Sequence, residues 1–411
     1  MTVLNSTTGF LALRRNTALL LVALVLAGTG ERLWLGFAPK YLETLGATVL
    51  VIGLFDGLQT LLGAVYAWPG GWLTDRWGQR RSLLLSNALS LAGYVLVLVW
   101  QHWLALVFGA LLFLAWSALS LPATFSVVAT SLDKSRHTMG VGVQSMIRRM
   151  PMMVGPLVGG WLITNYGWEQ GVRLALLGCI GLSAATTVFQ WFMVEPAAKA
   201  TEKSTPTNSD LSFRGVVKSF SPTLRELLVS DILIRFCERL PYAFVILWAM
   251  NHSGLTAEQF GWLVAIEMVT AMVCYIPVAH LADKHGQRPF VLATFVFFTL
   301  FPLTLLFAHN FAWLAVAFVV RGLKEFGEPA RKALIIAQAP PELRARTYGA
   351  YYLLRDCIVT SGSFLGAWLW SISPTANFLG AALLGGAGAL WFWWFVYRAP
   401  PSRLQTQSTR L

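Results

Sequence analysis

The chain is laid out as long apolar runs set between short polar connections. The runs cover 17–39, 48–69, 82–100, 103–128, 139–164, 171–194, 227–250, 257–279, 290–308, 311–336, 346–371 and 376–397. A helix needs about 20 apolar residues to cross the roughly 30 Å of hydrocarbon in a bilayer, and within lipid every backbone N–H and C=O must find its partner inside the helix. The pattern therefore predicts an all-α integral membrane protein with twelve transmembrane helices, spans one to twelve in chain order.

The pattern is also written twice. Glu31-Arg32-Leu33 recurs 207 residues later as Glu238-Arg239-Leu240, and Pro122-Ala123 recurs as Pro329-Ala330. At the same shift Gly142, Arg148, Gly155, Gly159 and Trp161 meet Gly349, Arg355, Gly362, Gly366 and Trp368. At a shift of 208, Gly53, Asp75, Gly78, Gln79 and Arg80 meet Gly261, Asp283, Gly286, Gln287 and Arg288. A parallel repeat of this length is how duplicated transporter halves are built. It predicts two pseudo-symmetric six-helix bundles, 1–195 and 226–411, joined by a linker at 196–225 rich in Lys, Ser, Thr and Pro.

Composition fits lipid as the solvent: 56% of the 411 residues are hydrophobic, 12% are charged, and the mean hydropathy is +0.60. The basic residues are unevenly placed. The N-terminus and the even-numbered connections hold most of them, among them Arg14, Arg15, Arg76, Arg80, Lys134, Arg136, Lys284, Arg288, Arg331, Lys332 and Arg344, whereas the odd-numbered connections hold only Lys40 and Arg173. The positive-inside rule then puts both termini and the linker in the cytoplasm, in a multi-pass cell-membrane protein that would lie in the inner membrane of a Gram-negative bacterium. The net charge of +12 is thus a topology signal, and its scatter over short loops argues against a nucleic-acid partner. The run after Arg14-Arg15 is longer than the apolar region of a secretory signal and reads as the first span. Cys179, Cys237, Cys274 and Cys357 fall within spans without metal-like spacing and read as packing residues, so no metal site is expected.

Two motifs carry a family resemblance. Gly71-Trp72-Leu73-Thr74-Asp75-Arg76-Trp77-Gly78-Gln79-Arg80-Arg81 resembles the signature between the second and third helices of the major facilitator superfamily, and Leu281-Ala282-Asp283-Lys284-His285-Gly286-Gln287-Arg288 is its twin in the second half. With the twelve spans and the repeat, the resemblance covers the whole chain. It implies that Gly71, Asp75, Arg76, Gly78 and Arg80, with Asp133 as a partner at the end of span four, form a cytoplasmic latch of the outward-facing state, echoed by Asp283, Gly286 and Arg288. The chain departs from the pattern at Gln79, where an Arg is common, and at Ala279, where the twin loses its first glycine. In span five, Gly155-Pro156-Leu157-Val158-Gly159-Gly160 is similar to the motif of the antiporter branches; a kinked, close-packed helix is the competing reading of the same residues. The arginine many antiporters carry in span four is replaced by Leu114, while its repeat partner in span ten is Arg321.

Charges at membrane depth point to the working site, because lipid exposure of each costs about 3 kcal/mol on insertion scales. Span one holds Glu31 and Arg32, two Asp56, five Arg148 and Arg149, and seven Asp231, Arg235, Glu238 and Arg239. Span eight holds Glu267, ten Arg321, Lys324, Glu325 and Glu328, and eleven Arg355 and Asp356. The repeated positions, Glu31-Arg32 with Arg148 and Glu238-Arg239 with Arg355, predict a polar belt near the midplane, where secondary transporters bind their solutes. The substrate and proton candidates are Glu31, Arg32, Arg148, Arg149, Glu238, Arg239, Lys324, Glu325, Arg355 and Asp356. Glu325 leads as the protonating group, set between desolvation, which favours its neutral form, and Lys324, which favours its charged form; Glu31 and Glu238 follow. The arginines suit an anionic substrate, or else they simply answer the acidic residues. Aromatic residues such as Trp34, Tyr242 and Tyr352 suit an amphiphilic ligand, or else pack in lipid.

The sequence holds no phosphate loop, His-Glu metal motif or nucleophile elbow, so an enzyme is not expected, nor a cofactor. The resemblance and the buried charges together imply a monomeric secondary active transporter, moving a small organic, anionic or amphiphilic solute by alternating access. Proton-coupled efflux, with H+ as the coupling ion, is the first reading. Uptake or facilitated passage of a polar anionic metabolite is the second, and a transporter-like scaffold or sensor that moves nothing is the third.

Overall fold

The computed structural model describes residues 15–117, 149–193, 213–339 and 343–398, and among these every regular element is helical. The long elements follow the apolar runs. Val49–Trp77 is span two, Gln79–Val99 span three, Ala257–His285 span eight, Arg288–Phe307 span nine, Arg344–Ile372 span eleven and Pro374–Phe392 span twelve. Span one runs through Arg15–Trp34, a 3-10 turn at Leu35–Phe37 and Ala38–Thr44. Spans five and six form the continuous element Arg149–Trp191, broken only where Gly167 takes a left-handed φ of 78°. Pro222–Tyr242 carries span seven, and span ten is divided into Phe311–Leu323 and Glu328–Ala337. Among the described residues, spans two, four, seven, ten and eleven are absent from the segments that are both long and apolar enough to cross on composition alone. Spans seven, ten and eleven carry charges within their apolar runs, and their crossing depends on pairing those charges.

Local sequence sets where these helices begin. Ser221, Asn310 and Ser373 cap spans seven, ten and twelve by accepting from the backbone N–H of Leu224, Trp313 and Ala376, and Pro222 and Pro374 occupy first-turn positions that need no amide donor. Gly78 and Gly286, at matching places in the two repeats, have φ of 85° and 86°, a left-handed turn that a side chain would strain.

The chain divides into two compact units. The first draws on Met1–Thr48, Leu58–Lys203 and Thr256–Ala265, and the second on Val49–Gly57, Ser204–Leu255 and Ile266–Leu411. In the first, span one packs along span five so closely that a β-carbon at Gly155 would overlap Arg32 and one at Gly159 would overlap the Leu33 carbonyl. In the second, a β-carbon at Gly366 would overlap the Leu240 carbonyl, and one at Gly362 would lie 3.5 Å from the Arg239 Cβ. Each contact is the other moved by 207 residues. The correspondence extends to the short segments at the unit borders: Gly261 abuts the Pro156 backbone in the first unit, as Gly53 abuts Ser363 and Ala367 in the second. Small residues let backbones approach, and dispersion plus buried hydrogen bonds then hold them. Asn377 shows the polar part, donating to the carbonyls of Leu240 at 3.0 Å and Gly366 at 2.7 Å. Large apolar side chains such as Val99, Phe307 and Leu383 remain more than 70% exposed, a surface suited to hydrocarbon.

Candidate functional site

Ten buried and half-buried charges of the second unit form one string of alternating sign. Asp356 meets Arg355 at 2.7 Å, Arg355 meets Asp231 at 3.3 Å, and Asp231 accepts from Arg331 at 2.5 Å. Arg331 meets Glu328 at 2.7 Å, Glu328 meets Arg235 at 3.3 Å, and Arg235 donates to Glu238 at 2.7 Å. Glu238 accepts from Lys324 at 2.6 Å, Lys324 lies 3.9 Å from Glu267, and Glu267 meets Arg321 at 3.2 Å. Five carboxylates and five cations from spans seven, eight, ten and eleven thus alternate without a like-charge step. Asp231, Arg331, Arg355, Lys324 and Glu267 are buried, and alternation is what permits it, since each desolvated charge has an opposite neighbour.

Helix geometry supplies the order. Asp231, Arg235 and Glu238 follow one another at spacings of four and three on Pro222–Tyr242, so they share one face. Glu328 and Arg331 share a face of Glu328–Ala337 in the same way. Aromatic rings wall the string: Phe298 lies 5.4 Å beneath Arg235 and 5.5 Å beneath Lys324, Tyr352 lies 4.2 Å from Arg355, and Arg321 sits over Tyr242, Phe301 and Phe318. Beside it, Asp56 accepts from Arg239 at 3.0 Å and from Ser363 at 2.6 Å, while Arg239 also stacks on Tyr242. The arrangement can exchange partners when one carboxylate gains or loses a proton, because Arg355, Arg331, Arg235 and Lys324 each have a second acid close by, and only Arg321, at the end of the string, has Glu267 alone within it.

A family model described as Major Facilitator Superfamily matches residues 20–237 and again 227–410, each half of the chain by itself. The chain belongs to the Major Facilitator Superfamily. It is a multi-pass membrane transporter of small molecules and not an enzyme, and its fold is the twelve-helix fold of that superfamily. It is 24% identical over 400 residues to the multidrug resistance protein MdtG of Yersinia enterocolitica, covering 94% of each chain. Among solved structures it resembles a nucleoside transporter, NupG, with a TM-score of 0.78 at 12% identity, covering 92% of this chain and 99% of that one. It also resembles a POT family transporter in complex with a thioalcohol-conjugated peptide, with a TM-score of 0.74 at 13% identity, covering 92% and 94%.

Of the superfamily site residues expected from sequence, Glu238, Lys324, Arg355 and Asp356 are members of the string, and Arg239 pairs beside it. Glu325 is half-buried next to Lys324 and within its electrostatic reach. Glu31 is buried in the first unit within electrostatic reach of Tyr94 and Cys179, and Arg32 and Arg149 are half-buried there. Arg148 and Asp133 lie outside the described residues. Of the latch motif, Arg76 is exposed over Trp72, Arg80 stacks on Trp191 at 4.9 Å, and Arg288 donates to the Tyr397 carbonyl. Gly71, Asp75 and Asp283 are placed only as positions on helices. Gly155, Pro156, Gly159 and Gly160 are all buried in helix contacts, Gly160 against the start of span eight.

Arg331 was missed. Counted with the loop charges of the sequence, it is 1% exposed and holds Asp231 and Glu328 together. The signal was present in Glu328-x-x-Arg331, an i,i+3 ion pair inside an apolar run. The string also shows how far the repeats have diverged. At positions equivalent to Asp231, Arg235, Arg321, Lys324, Glu328 and Arg331, the first half carries Leu24, Gly28, Leu114, Ser117, Leu121 and Thr124.

Proposed function

We propose that this transporter exports small amphiphilic organic compounds in exchange for protons, by alternating access, with the charge string of the second unit as the coupling element. The observation that carries the reading is the string itself: carboxylates held among cations in a buried setting, where binding one proton redistributes ion pairs over four spans. Its arginines are answered by its acids, which favours an amphiphilic over a strongly anionic solute. The name of the Yersinia relative, a multidrug resistance protein, supports the efflux direction. Within this proposal the chain acts as a monomer with both termini cytoplasmic, its bundles span 1–195 and 226–411, and Asp75, Arg76 and Arg80 with Asp133 latch the outward-facing state. Glu31, Arg32, Arg148 and Arg149 line the path from the first half.

Glu325, beside Lys324, is the proposed proton carrier. Glu325→Gln is expected to abolish pH-gradient-driven accumulation of an amphiphilic dye, rhodamine 6G, in everted membrane vesicles. Dye exchange at equal pH persists, since exchange needs no net change in protonation. Full gradient-driven flux in Glu325→Gln would remove Glu325 from the role and move the search to Glu238 and Glu267.

A further inference from the structure

The ion string has one weak point. Among the described residues, the part made of Asp356, Arg355, Asp231, Arg331 and Glu328 is joined to the part made of Glu238, Lys324, Glu267 and Arg321 through Arg235. Its guanidinium spans the two with different nitrogens: Nη1 reaches Glu238 at 2.7 Å and Nη2 reaches Glu328 at 3.3 Å, while Nε lies 4.0 Å from Asp231. The Phe298 ring, 5.4 Å away, closes off one side. The charged groups around Arg235 are Asp231, Glu238 and Arg239 on its own helix and Glu328 and Arg331 on span ten, with Arg355 of span eleven reached through Asp231 and Lys324 of span ten through Glu238. Span nine contributes only the uncharged ring of Phe298 to this set.

We propose that Arg235 is a positioning residue for coupling: it makes the protonation of the Glu238 side depend on the ionisation of the Glu328 side. The proposal rests on the proton-coupled reading above. When a proton taken up by way of Glu325 cancels the charge of Glu238, Arg235 turns its donors to Glu328 and Asp231, and Lys324 turns to Glu267. Protonation of Glu328 drives the reverse. The planar fork of arginine serves both acids at once, whereas the single ammonium of lysine serves one. The repeat argues for a task beyond packing, because the equivalent residue in the first half is Gly28, in a helix that packs without any charge there.

Arg235→Lys keeps the charge and most of the volume and removes the fork. In proteoliposomes of purified protein with rhodamine 6G, pH-driven accumulation is expected to fall about tenfold more than exchange at equal pH, and the pH profile of exchange to change shape. A merely structural role lowers both fluxes in the same ratio and leaves the profile unchanged, and that result overturns the proposal. If wild-type protein shows exchange but no pH-driven accumulation, the proton-coupled reading fails by itself. A ligand-free arm then decides the link. The melting temperatures of Glu238→Gln, Glu328→Gln and the double variant are expected to be non-additive when Arg235 is present and additive in the Arg235→Lys background; additivity in both backgrounds sinks the link.

Discussion

Arg331→Met is expected to cost about 3 kcal/mol or more of stability, the scale for removing one partner from a buried ion pair. The side chain is 1% exposed and donates to both Asp231 oxygens and both Glu328 oxygens. Without it Asp231, itself fully buried, keeps Arg355 at 3.3 Å and Arg235 at 4.0 Å, and Glu328 keeps Arg235 and the exposed Lys332. Those remaining partners hold the loss near the lower end of the range, because no carboxylate is orphaned. Adding Asp231→Asn is expected to recover part of the stability, since the excess negative charge in the interior disappears with it. Lys332→Met, by contrast, removes a surface cation and is expected to change stability by less than about 0.5 kcal/mol. Thermal unfolding of the purified proteins in detergent checks all three, and an Arg331→Met protein as stable as wild type would show that the string is not a structural unit.

The contrast between Arg331 and Glu238 shows where sequence reasoning stops. Twelve spans, the duplication and the paired motifs around Gly78 and Gly286 were legible because each is written in consecutive residues, as apolar length or as a recurring pattern; the left-handed turn at Gly167 was not read from the sequence. The intramembrane charges were legible too, since any charge in an apolar run is conspicuous. Their partners were not. Lys324 and Glu238 are 86 residues apart and Arg331 and Asp231 are 100 apart, so the pairing is decided by which helix faces meet and not by local pattern. Arg331 in addition sits near the end of its run, where loop count and helix pattern give opposite answers, and burial decided between them. The symmetry of the repeat was a reliable guide to backbone contacts and a poor one to charges. Glycine packing recurs because both halves keep one fold, whereas most residues of the ion string have uncharged counterparts in the first half.

Gly366→Leu is expected to be strongly disruptive, and Gly366→Ala the more telling substitution. A β-carbon there meets backbone: besides the Leu240 carbonyl oxygen, it lies 2.9 Å from the Leu240 Cα and 3.0 Å from its carbonyl carbon. Neither atom can rotate away, so spans seven and eleven must part, and the strain of overpacking is about 1–3 kcal/mol for the first carbon and more for a full leucine. Parting the helices also pulls the Leu240 and Gly366 carbonyls off the amide of Asn377, which clamps both from span twelve. The damage reaches the charge string as well, because Leu240 follows Glu238 and Arg239 directly on the same helix. Transport is therefore expected to fall more steeply than the amount of folded protein. Gly159→Ala repeats the experiment in the first unit against the Leu33 carbonyl, next to Glu31 and Arg32, with few charges at stake. Gly181→Ala, a helical site where a β-carbon meets nothing within 4 Å, is the control, and it is expected to be neutral or to stabilise by about 0.5–1 kcal/mol through helix propensity. Comparable melting temperatures for Gly366→Ala and Gly181→Ala would mean that the helices are not in backbone contact. Equal stability losses at Gly159 and Gly366, with transport suffering chiefly at Gly366, would place the working chemistry in the second unit.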